Sequence, residues 1–154
     1  MAIGTVTKYN GFEKQIAADA NRQWDDATAG NIMFCLCGNG YTPAATHTTT
    51  ANLTGIITSG DGAPIVAAGV SIDNTTTPGS TYFKTNDANF GSAVTITAKY
   101  LVAVMSVTAG TFDASTSKLL FYVNLDTTSS SATVSSVSSD FVIYTPTNGW
   151  IKTT

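Results

Sequence analysis

Chemically reactive side chains are scarce in this sequence. The chain of 154 residues has a single histidine, His47, a single glutamate, Glu13, and two cysteines, and only 11% of its residues are charged. Most soluble domains carry about 25% charged residues. Because 43% of the residues are hydrophobic, the chain is not disordered, since disorder requires low hydrophobicity and high charge together. We expect a rigid scaffold that works through its surfaces, and we predict that it is not an enzyme.

Basic side chains are also few and dispersed. Arg22 is the only arginine, no two basic residues are adjacent, and the formal net charge is −3. A nucleic-acid surface needs clustered lysines and arginines that release counterions from phosphates. We therefore predict no nucleic-acid partner. A surface with so little charge resists aggregation weakly, so we expect either hydroxyl-rich strands facing water or partners that cover large areas.

Long apolar segments are missing as well. The first part of the chain contains Lys8, Glu13 and Lys14 and lacks the apolar core of a secretory signal peptide. The longest strongly apolar run, residues 100–105, is far shorter than the about 20 residues that a membrane-spanning helix needs. We predict no membrane partner and synthesis in a cytoplasm. A chain of this length is expected to form one domain with its own core.

The two cysteines are separated by one residue within the apolar segment 32–37. On a strand, Cys35 and Cys37 point to the same side, and a disulfide between them would strain the backbone. Two cysteines alone do not complete a zinc site. The pattern therefore predicts buried, reduced thiols, and the sequence indicates no metal or other cofactor.

The N-terminal part differs in pattern from the rest of the chain. Residues 1–9 are predicted to form an arm with Ile3 and Val6 as its aliphatic anchors, and residues 10–154 a single domain. A helix over 10–25 opens that domain, because Asn10 and Glu13 have the spacing of a capping box. Apolar residues recur along one face of this surface helix at Phe12, Ile16, Ala20 and Trp24.

From residue 31 onward the pattern is that of short strands. Runs of β-branched and aromatic residues alternate with clusters of glycine, asparagine and proline, which form turns. This predicts a mainly β protein, an antiparallel β-sandwich or barrel of jelly-roll type, with one N-terminal α-helix. The predicted strands cover residues 31–37, 53–58, 65–72, 80–85, 93–98, 100–107, 117–125, 132–137 and 139–145.

The strands over 100–107 and 117–125 are apolar on both faces. A strand of an antiparallel sandwich normally buries one face and exposes the other to water. The second face of these strands therefore needs a cover. We expect this cover to be either the N-terminal helix or the same surface of a neighbouring copy.

The remaining polar candidates lack the neighbouring residues that catalysis or metal binding would require. His47 lies in a threonine-rich loop without a residue that would orient a catalytic base, so we expect a solvated histidine. No motif brings two carboxylates together as a glycosidase would require. Asp61 and Asp87 lie in loops that could offer oxygen atoms to Ca²⁺, but their spacing is not that of an EF-hand.

The aromatic residues allow a second kind of site. If they were exposed together, they would form a platform on which sugar rings stack, although aromatic residues on strands more often belong to the core. The residues considered for this platform are Trp24, Trp150, Tyr41, Tyr82 and Tyr144.

The order of segments resembles that of a known class of proteins. The segments are the helix with Phe12-Glu13-Lys14 and a terminal tryptophan, the strand entering Gly40-Tyr41-Thr42-Pro43, residues 117–123 and the terminal segment 139–146. They resemble small virion structural proteins of tailed bacteriophages, namely capsid decoration (cement) proteins and related head or tail components. The resemblance implies a protein of the virion, made in the cytoplasm of a bacterial host.

The resemblance also implies partners. A decoration protein binds the major capsid protein at many equivalent positions and bridges neighbouring capsomers. Closed symmetry makes a homotrimer or a dimer plausible, and we favour the homotrimer. We expect the arm and the helix to contact the capsid or a second subunit, and deletion of residues 2–9 to weaken that contact while leaving the β fold intact. The expected contact residues are Ile3, Val6, Tyr9, Phe12, Ile16 and Trp24.

An alternative from another functional class stays open. A tail or fibre module that binds a carbohydrate or a host receptor would have a similar composition. It would require exposed aromatic residues near Tyr41 or Trp150.

Overall fold

The computed structural model describes residues 3–14, 31–73, 80–128 and 132–153. Within these ranges the chain is mainly β, its strand pairs are antiparallel, and a short helix begins at Phe12. The strands are β1 (Val6–Lys8), β2 (Ile32–Cys37), β3 (Ile65–Val66), β4 (Ser71–Asp73), β5 (Thr81–Lys84), β6 (Ala88–Asn89), β7 (Val94–Ala98), β8 (Tyr100–Met105), β9 (Lys118–Asn124), β10 (Val134–Ser139), β11 (Val142–Ile143) and β12 (Ile151–Thr153). Short 3-10 turns lie at Thr50–Asn52 and Gly60–Gly62. The mainly β, antiparallel fold is confirmed, whereas most of the predicted helix lies outside the described residues.

The strands form one large sheet and three smaller ones among the described residues. The large sheet has the order β1-β9-β8-β2-β3. A three-stranded sheet has the order β12-β5-β4, and two ribbons pair β10 with β7 and β11 with β6. The three strands at the centre of the large sheet are the ones that the sequence shows to be apolar on both faces or nearly so.

One face of the large sheet packs against residues of the smaller sheets and forms the main core. Phe34 of β2 and Phe121 of β9 point into it. The ring centroid of Phe121 lies 5.9 Å from that of Phe83 in β5 and 5.7 Å from that of Trp150. The indole N–H of Trp150 donates to Thr85 Oγ1 at 2.8 Å, so its polar atom is satisfied inside the core. Each such buried ring stabilises the fold by roughly 1.5–3 kcal/mol.

A β-bulge in β9 adds one residue to the main core. Phe121 lies opposite Ala103 and Leu119 lies opposite Val104, so Leu120 is the extra residue between them. A bulge changes which face a side chain points to. Leu120 and Phe121 consequently both face the main core, while Leu119 lies on the opposite face of the sheet.

The strand predicted over 65–72 is broken into β3 and β4. Gly69, between them, has a φ of 61°. A Cβ at this position would lie 2.4 Å from Asn86 Oδ1. The close approach and the positive φ both require glycine. The chain therefore turns here instead of continuing as one strand.

Other strand predictions differ from the structure for reasons of pairing. The predicted strand over 53–58 is wrong, since this segment makes only an isolated bridge between Ile56 and Cys37. Of the strand predicted over 139–145, only the two residues of β11 are found. The strand β10 begins and ends two residues later than the strand predicted over 132–137. The short strands β1, β6 and β12 were not predicted.

The N-terminal segment is part of the large sheet. Val6 pairs with Val123 and Lys8 with Phe121, so β1 forms an edge strand beside β9. Gly4 N donates to Asn124 O at 2.9 Å, and a Cβ on Gly4 would lie 2.9 Å from that same oxygen. Residues 3–9 are therefore not a free arm, because the segment is hydrogen-bonded along its length to the last central strand.

Two buried side chains anchor this segment. Tyr9 and Phe12 are 1% and 0% exposed, and Tyr9 N donates to Leu120 O at 3.1 Å. Glu13 pairs with Lys8, and this contact lowers the pKa of its carboxyl below the usual value. The expectation that deletion of the first residues leaves the fold intact is therefore revised.

Deletion of residues 2–9 should strongly destabilise the protein. Truncation of a buried aromatic side chain alone costs about 3–5 kcal/mol, and the deletion removes Tyr9 together with the hydrogen bonds of β1. Urea denaturation followed by circular dichroism measures the free energy of unfolding. Val137→Ala serves as the control, because Val137 is 74% exposed and surface changes stay within about 0.5 kcal/mol. A truncated chain as stable as the full chain would contradict the pairing of β1.

Candidate functional site

The second face of the large sheet is covered by other parts of the same chain. Residues 38–56, here called the covering segment, place Tyr41 and Leu53 over this face, and Phe112 packs against it from the connection between β8 and β9. The sequence suggested the helix or a neighbouring copy as the cover. In the structure the covering segment of the same chain provides a cover. The sequence pattern did not reveal it, because this segment has no regular periodicity.

Backbone hydrogen bonds fix the covering segment to the strands beneath it. Thr50 N donates to Ser117 O at 2.9 Å and Leu119 N donates to Thr48 O at 3.0 Å. At the far end, Ile57 N donates to Leu36 O at 2.9 Å. A loop can cover a sheet only if its own polar backbone groups find partners. These bonds meet that condition without a regular strand.

Four tyrosines gather on this second face and form what we call the tyrosine cluster: Tyr9, Tyr41, Tyr100 and Tyr122. The ring of Tyr100 stands nearly perpendicular to those of Tyr41 and Tyr122, with ring centroids 5.9 Å away in both pairs. Tyr9 and Tyr122 have centroids 5.3 Å apart. Edge-to-face contacts of this kind are favourable beyond simple burial. The cluster therefore forms a rigid aromatic layer at one end of the sheet.

Two of the four hydroxyl groups are satisfied inside the protein. The Tyr9 and Tyr41 hydroxyl oxygens lie 2.7 Å apart, and Tyr41 Oη lies 3.0 Å from His47 Nδ1. The His47 ring also packs on Tyr41 with centroids 5.8 Å apart. His47 is half-buried, so the expectation of a solvated histidine was wrong. It supplies the polar end of a buried hydrogen-bond chain.

Burial keeps the groups around this chain neutral. Burial and the hydrogen bond with Tyr41 raise the pKa of Tyr9 far above its usual value, and burial raises the pKa of Tyr41 to about 12. A hydrogen bond with Cys37, followed by burial, raises the pKa of the Cys35 thiol. Both cysteines are free and buried, as predicted. Buried thiols without access to solvent are unreactive, and they are poorly placed to bind a metal.

An open groove of about 750 Å³ runs along the uncovered end of the tyrosine cluster. It lies between the N-terminal segment and the start of the covering segment, with Tyr100 and Tyr122 at its wall. Its size falls within the range of small-molecule binding sites. The lining residues are Ile3, Gly4, Thr5, Thr7, Thr42, Pro43, Tyr100, Tyr122, Asn124, Asp126, Thr127 and Thr128.

The polar side chains at one end of the groove hold each other in place. Asn124 Oδ1 accepts a hydrogen bond from Asp126 N at 3.1 Å. Asp126 Oδ1 accepts from both the amide and the hydroxyl of Thr128 at 2.8 Å. Side-chain to backbone bonds of this type fix turns. The end of β9 therefore presents an ordered amide and carboxylate to the groove.

The structure separates the predicted contact residues into three groups. Tyr9 and Phe12 are buried in the cores of their own chain and are not available to a partner while the fold is intact. Ile3 and Val6 are half-buried and pack against the main core. Ile16 and Trp24 lie outside the described residues. The predicted set is thus not brought together as one exposed surface.

The other candidates have structural roles. Asp61 Oδ2 accepts a hydrogen bond from Thr95 N at 2.9 Å, and Asp87 Oδ1 accepts one from Thr145 N at 2.8 Å. These carboxylates join segments that are distant in the sequence. In the described ranges no group of three or more histidine, cysteine or acidic side chains is placed to hold a metal ion.

The aromatic residues considered for a sugar-stacking platform do not form one among the described residues, and most of them belong to the core, as is usual for aromatic residues on strands. Trp150, Tyr41 and Tyr82 are buried, and Tyr144 is exposed, while Trp24 lies outside the described part. The aromatic residues that do line an open groove are Tyr100 and Tyr122. A signal for part of this groove was present in the sequence, since Tyr122 and Asn124 are two residues apart on one strand and so share a face.

None of the helices in the described portion has the length and apolar character needed to cross a bilayer. No family model, curated protein or solved structure matches this chain.

The stability of the fold should fall in alkaline solution. The folded state keeps the phenol protons of Tyr9 and Tyr41 above pH 10, where the unfolded chain releases them. The contribution is complete below about pH 10 and decreases at higher pH, by up to about 1.4 kcal/mol per pH unit for each tyrosine. Free energies of unfolding should show this fall when they are measured over roughly pH 8 to 11.5, the range that brackets the ordinary pKa of a tyrosine.

A pair of variants isolates the cause. Tyr41→Phe should make the alkaline fall shallower, although loss of the hydroxyl costs about 1 kcal/mol at neutral pH. Tyr144→Phe, at a position that is 57% exposed, should leave the pH dependence unchanged. An identical slope in both variants would show that the buried tyrosine does not produce the effect.

Proposed function

We propose that this chain is a structural protein of a virion, most simply a decoration protein that binds the outer surface of the capsid and stabilises contacts between capsomers. The observation that supports this best is the closure of both faces of the large sheet by the chain's own residues. Such a body is rigid before it binds, so little conformational entropy is lost on attachment. Adhesion requires rigidity and surface fit, and it requires no reactive groups.

The polar composition of the described surface agrees with this role. The strands β7 and β10 expose threonine and serine hydroxyls, and Thr97 Oγ1 lies 2.9 Å from Ser135 Oγ. Hydroxyl pairs across strands cover the surface without charge. A weak contact repeated over many equivalent sites gives firm attachment through effective concentration. The low charge of the chain therefore suits a protein that sits in a repeating array.

The buried state of Tyr9 and Phe12 changes where the contact is expected. These residues hold the N-terminal segment in the sheet, so their proposed role becomes structural. Large apolar side chains exposed in the described part are the better candidates for contact with the major capsid protein or with a second copy, of which we favour a homotrimer over a dimer. They are Val66, Val107, Val137 and Tyr144.

We also propose that the complete architecture is a β-sandwich. The large sheet packs one face on the three-stranded sheet, with Phe121 against Phe83. Two sheets packed face to face around one core define a sandwich. The jelly-roll variant would require a specific strand order, which an experimental structure of the whole chain would test.

The location and copy number of the protein in purified particles test the proposed role. Quantitative mass spectrometry should find it in hundreds of copies, in fixed ratio to the major capsid protein. Purified protein added to undecorated capsids should bind to saturation, and Tyr144→Asp or Val137→Asp should weaken that binding. Ser135→Asp is the matched control, since it adds the same charge to an exposed hydroxyl position of β10. A handful of copies at the tail, or none in the particle, would refute the proposal.

A further inference from the structure

The two tyrosines that line the groove differ from the two beneath the cover. The hydroxyls of Tyr9 and Tyr41 bond to each other. Those of Tyr100 and Tyr122 have no hydrogen-bond partner within the described ranges, although Tyr100 is only 9% exposed. Both residues line the open groove, where a polar group takes its hydrogen-bond partner from water or from a ligand. A ligand in the groove would supply one for each of these two groups.

The groove combines hydroxyl groups, aromatic carbon and very little charge. Phenol and threonine hydroxyls both donate and accept hydrogen bonds, and the Asn124 side chain adds amide donors, since its oxygen is already bonded to Asp126 N. Ring carbons of Tyr100 and Tyr122, together with Pro43, offer apolar surface beside these groups. The groove thus offers hydroxyl groups that both donate and accept hydrogen bonds, next to apolar ring carbons. This combination is complementary to the surface of a sugar, in which hydroxyls alternate with C–H groups.

The electrostatics of the groove narrow the class of ligand. Among the described residues that line the groove, Asp126 is the one charged side chain. Lys99 lies outside the lining, with its ammonium 5.5 Å from the centre of the Tyr100 ring. The described lining contains no lysine or arginine, so a phosphate, a sulfate or a uronic acid would find no basic side chain there. The groove therefore favours neutral ligands over anionic ones.

We propose that this groove is a binding site for a neutral oligosaccharide, with Tyr100, Tyr122 and Asn124 as its principal contacts. The proposal does not depend on the virion role, because it rests only on the groove. The ordered turn at Asn124 and Asp126 and the fixed edge of β1 preorganise the site, which limits the entropy lost on binding. Because the groove is open and the contacts are few, we expect affinities in the millimolar range.

Titration of the ¹⁵N-labelled full chain with neutral hexasaccharides tests the site. The probes are maltohexaose, cellohexaose and the hexamer of N-acetylglucosamine, with hexagalacturonic acid as the anionic comparison. At least one neutral probe should shift the backbone amide signals of Gly4, Thr5, Thr42 and Thr127 at millimolar concentrations. The anionic probe should leave these signals unchanged.

Variants that remove single hydroxyls give the sharper readout. Tyr122→Phe should weaken binding of the active probe about three- to tenfold, the usual effect of one lost hydrogen bond, and Asn124→Ala should also weaken it. Tyr144→Phe removes an exposed phenol outside the groove and should bind like the unmodified chain. The spectra of the variants show directly whether each one is folded, and Tyr122→Phe keeps the ring that packs on Tyr9.

Three results would overturn the proposal. One is the absence of shifts at the groove with all neutral probes, and another is tighter binding of the anionic probe at the same residues. The third is equal binding by Tyr122→Phe, Asn124→Ala and Tyr144→Phe. None of these outcomes affects attachment to capsids, so the two proposals fail separately.

Discussion

The large sheet is apolar on both faces, and the rest of the structure follows from the need to cover both. The side chains of β2 alternate between the main core and the tyrosine-rich face, yet all six of its residues are buried. Exposure of either face would cost roughly 25 cal/mol for every Å² of apolar surface. The smaller sheets cover one face, and the covering segment covers the other together with Tyr9 and Phe112. A chain of this length thereby acquires two layers of packing around one sheet.

The two covers differ in their chemistry because their surroundings differ. The main core is closed by regular strands, and its aromatic rings are phenylalanine and tryptophan, with few polar atoms. The second face is covered by an irregular segment, which brings polar groups with it. Tyrosine suits this position, because its ring joins the buried cluster that includes Val102 and Cys35 while its hydroxyl can bond to another polar group. The Tyr9, Tyr41 and His47 chain is the result.

Local patterns in the sequence predicted the central strands and the buried thiols, because burial on both faces leaves a continuous apolar run that needs no partner to be recognised. Pairing over long distances could not be predicted in this way. β1 has only three residues, and it is a strand because it pairs with β9, more than a hundred residues later. The groove shares this property, since Thr7 and Tyr122 meet only through that pairing. Its residues were visible in the sequence, but their proximity was not.

The groove lies where the cover of the second face ends, and this position explains its composition. Beneath the cover, tyrosine hydroxyls must bond to one another, because no solvent reaches them. At the edge, the same aromatic layer continues through Tyr100 and Tyr122, whose hydroxyls are not bonded to any side chain in the described part of the protein. Tyr122 contacts Tyr9 on one side and lines the groove on the other. The N-terminal segment therefore has two roles. Its pairing with β9 stabilises the sheet, and the same paired segment forms one wall of the groove.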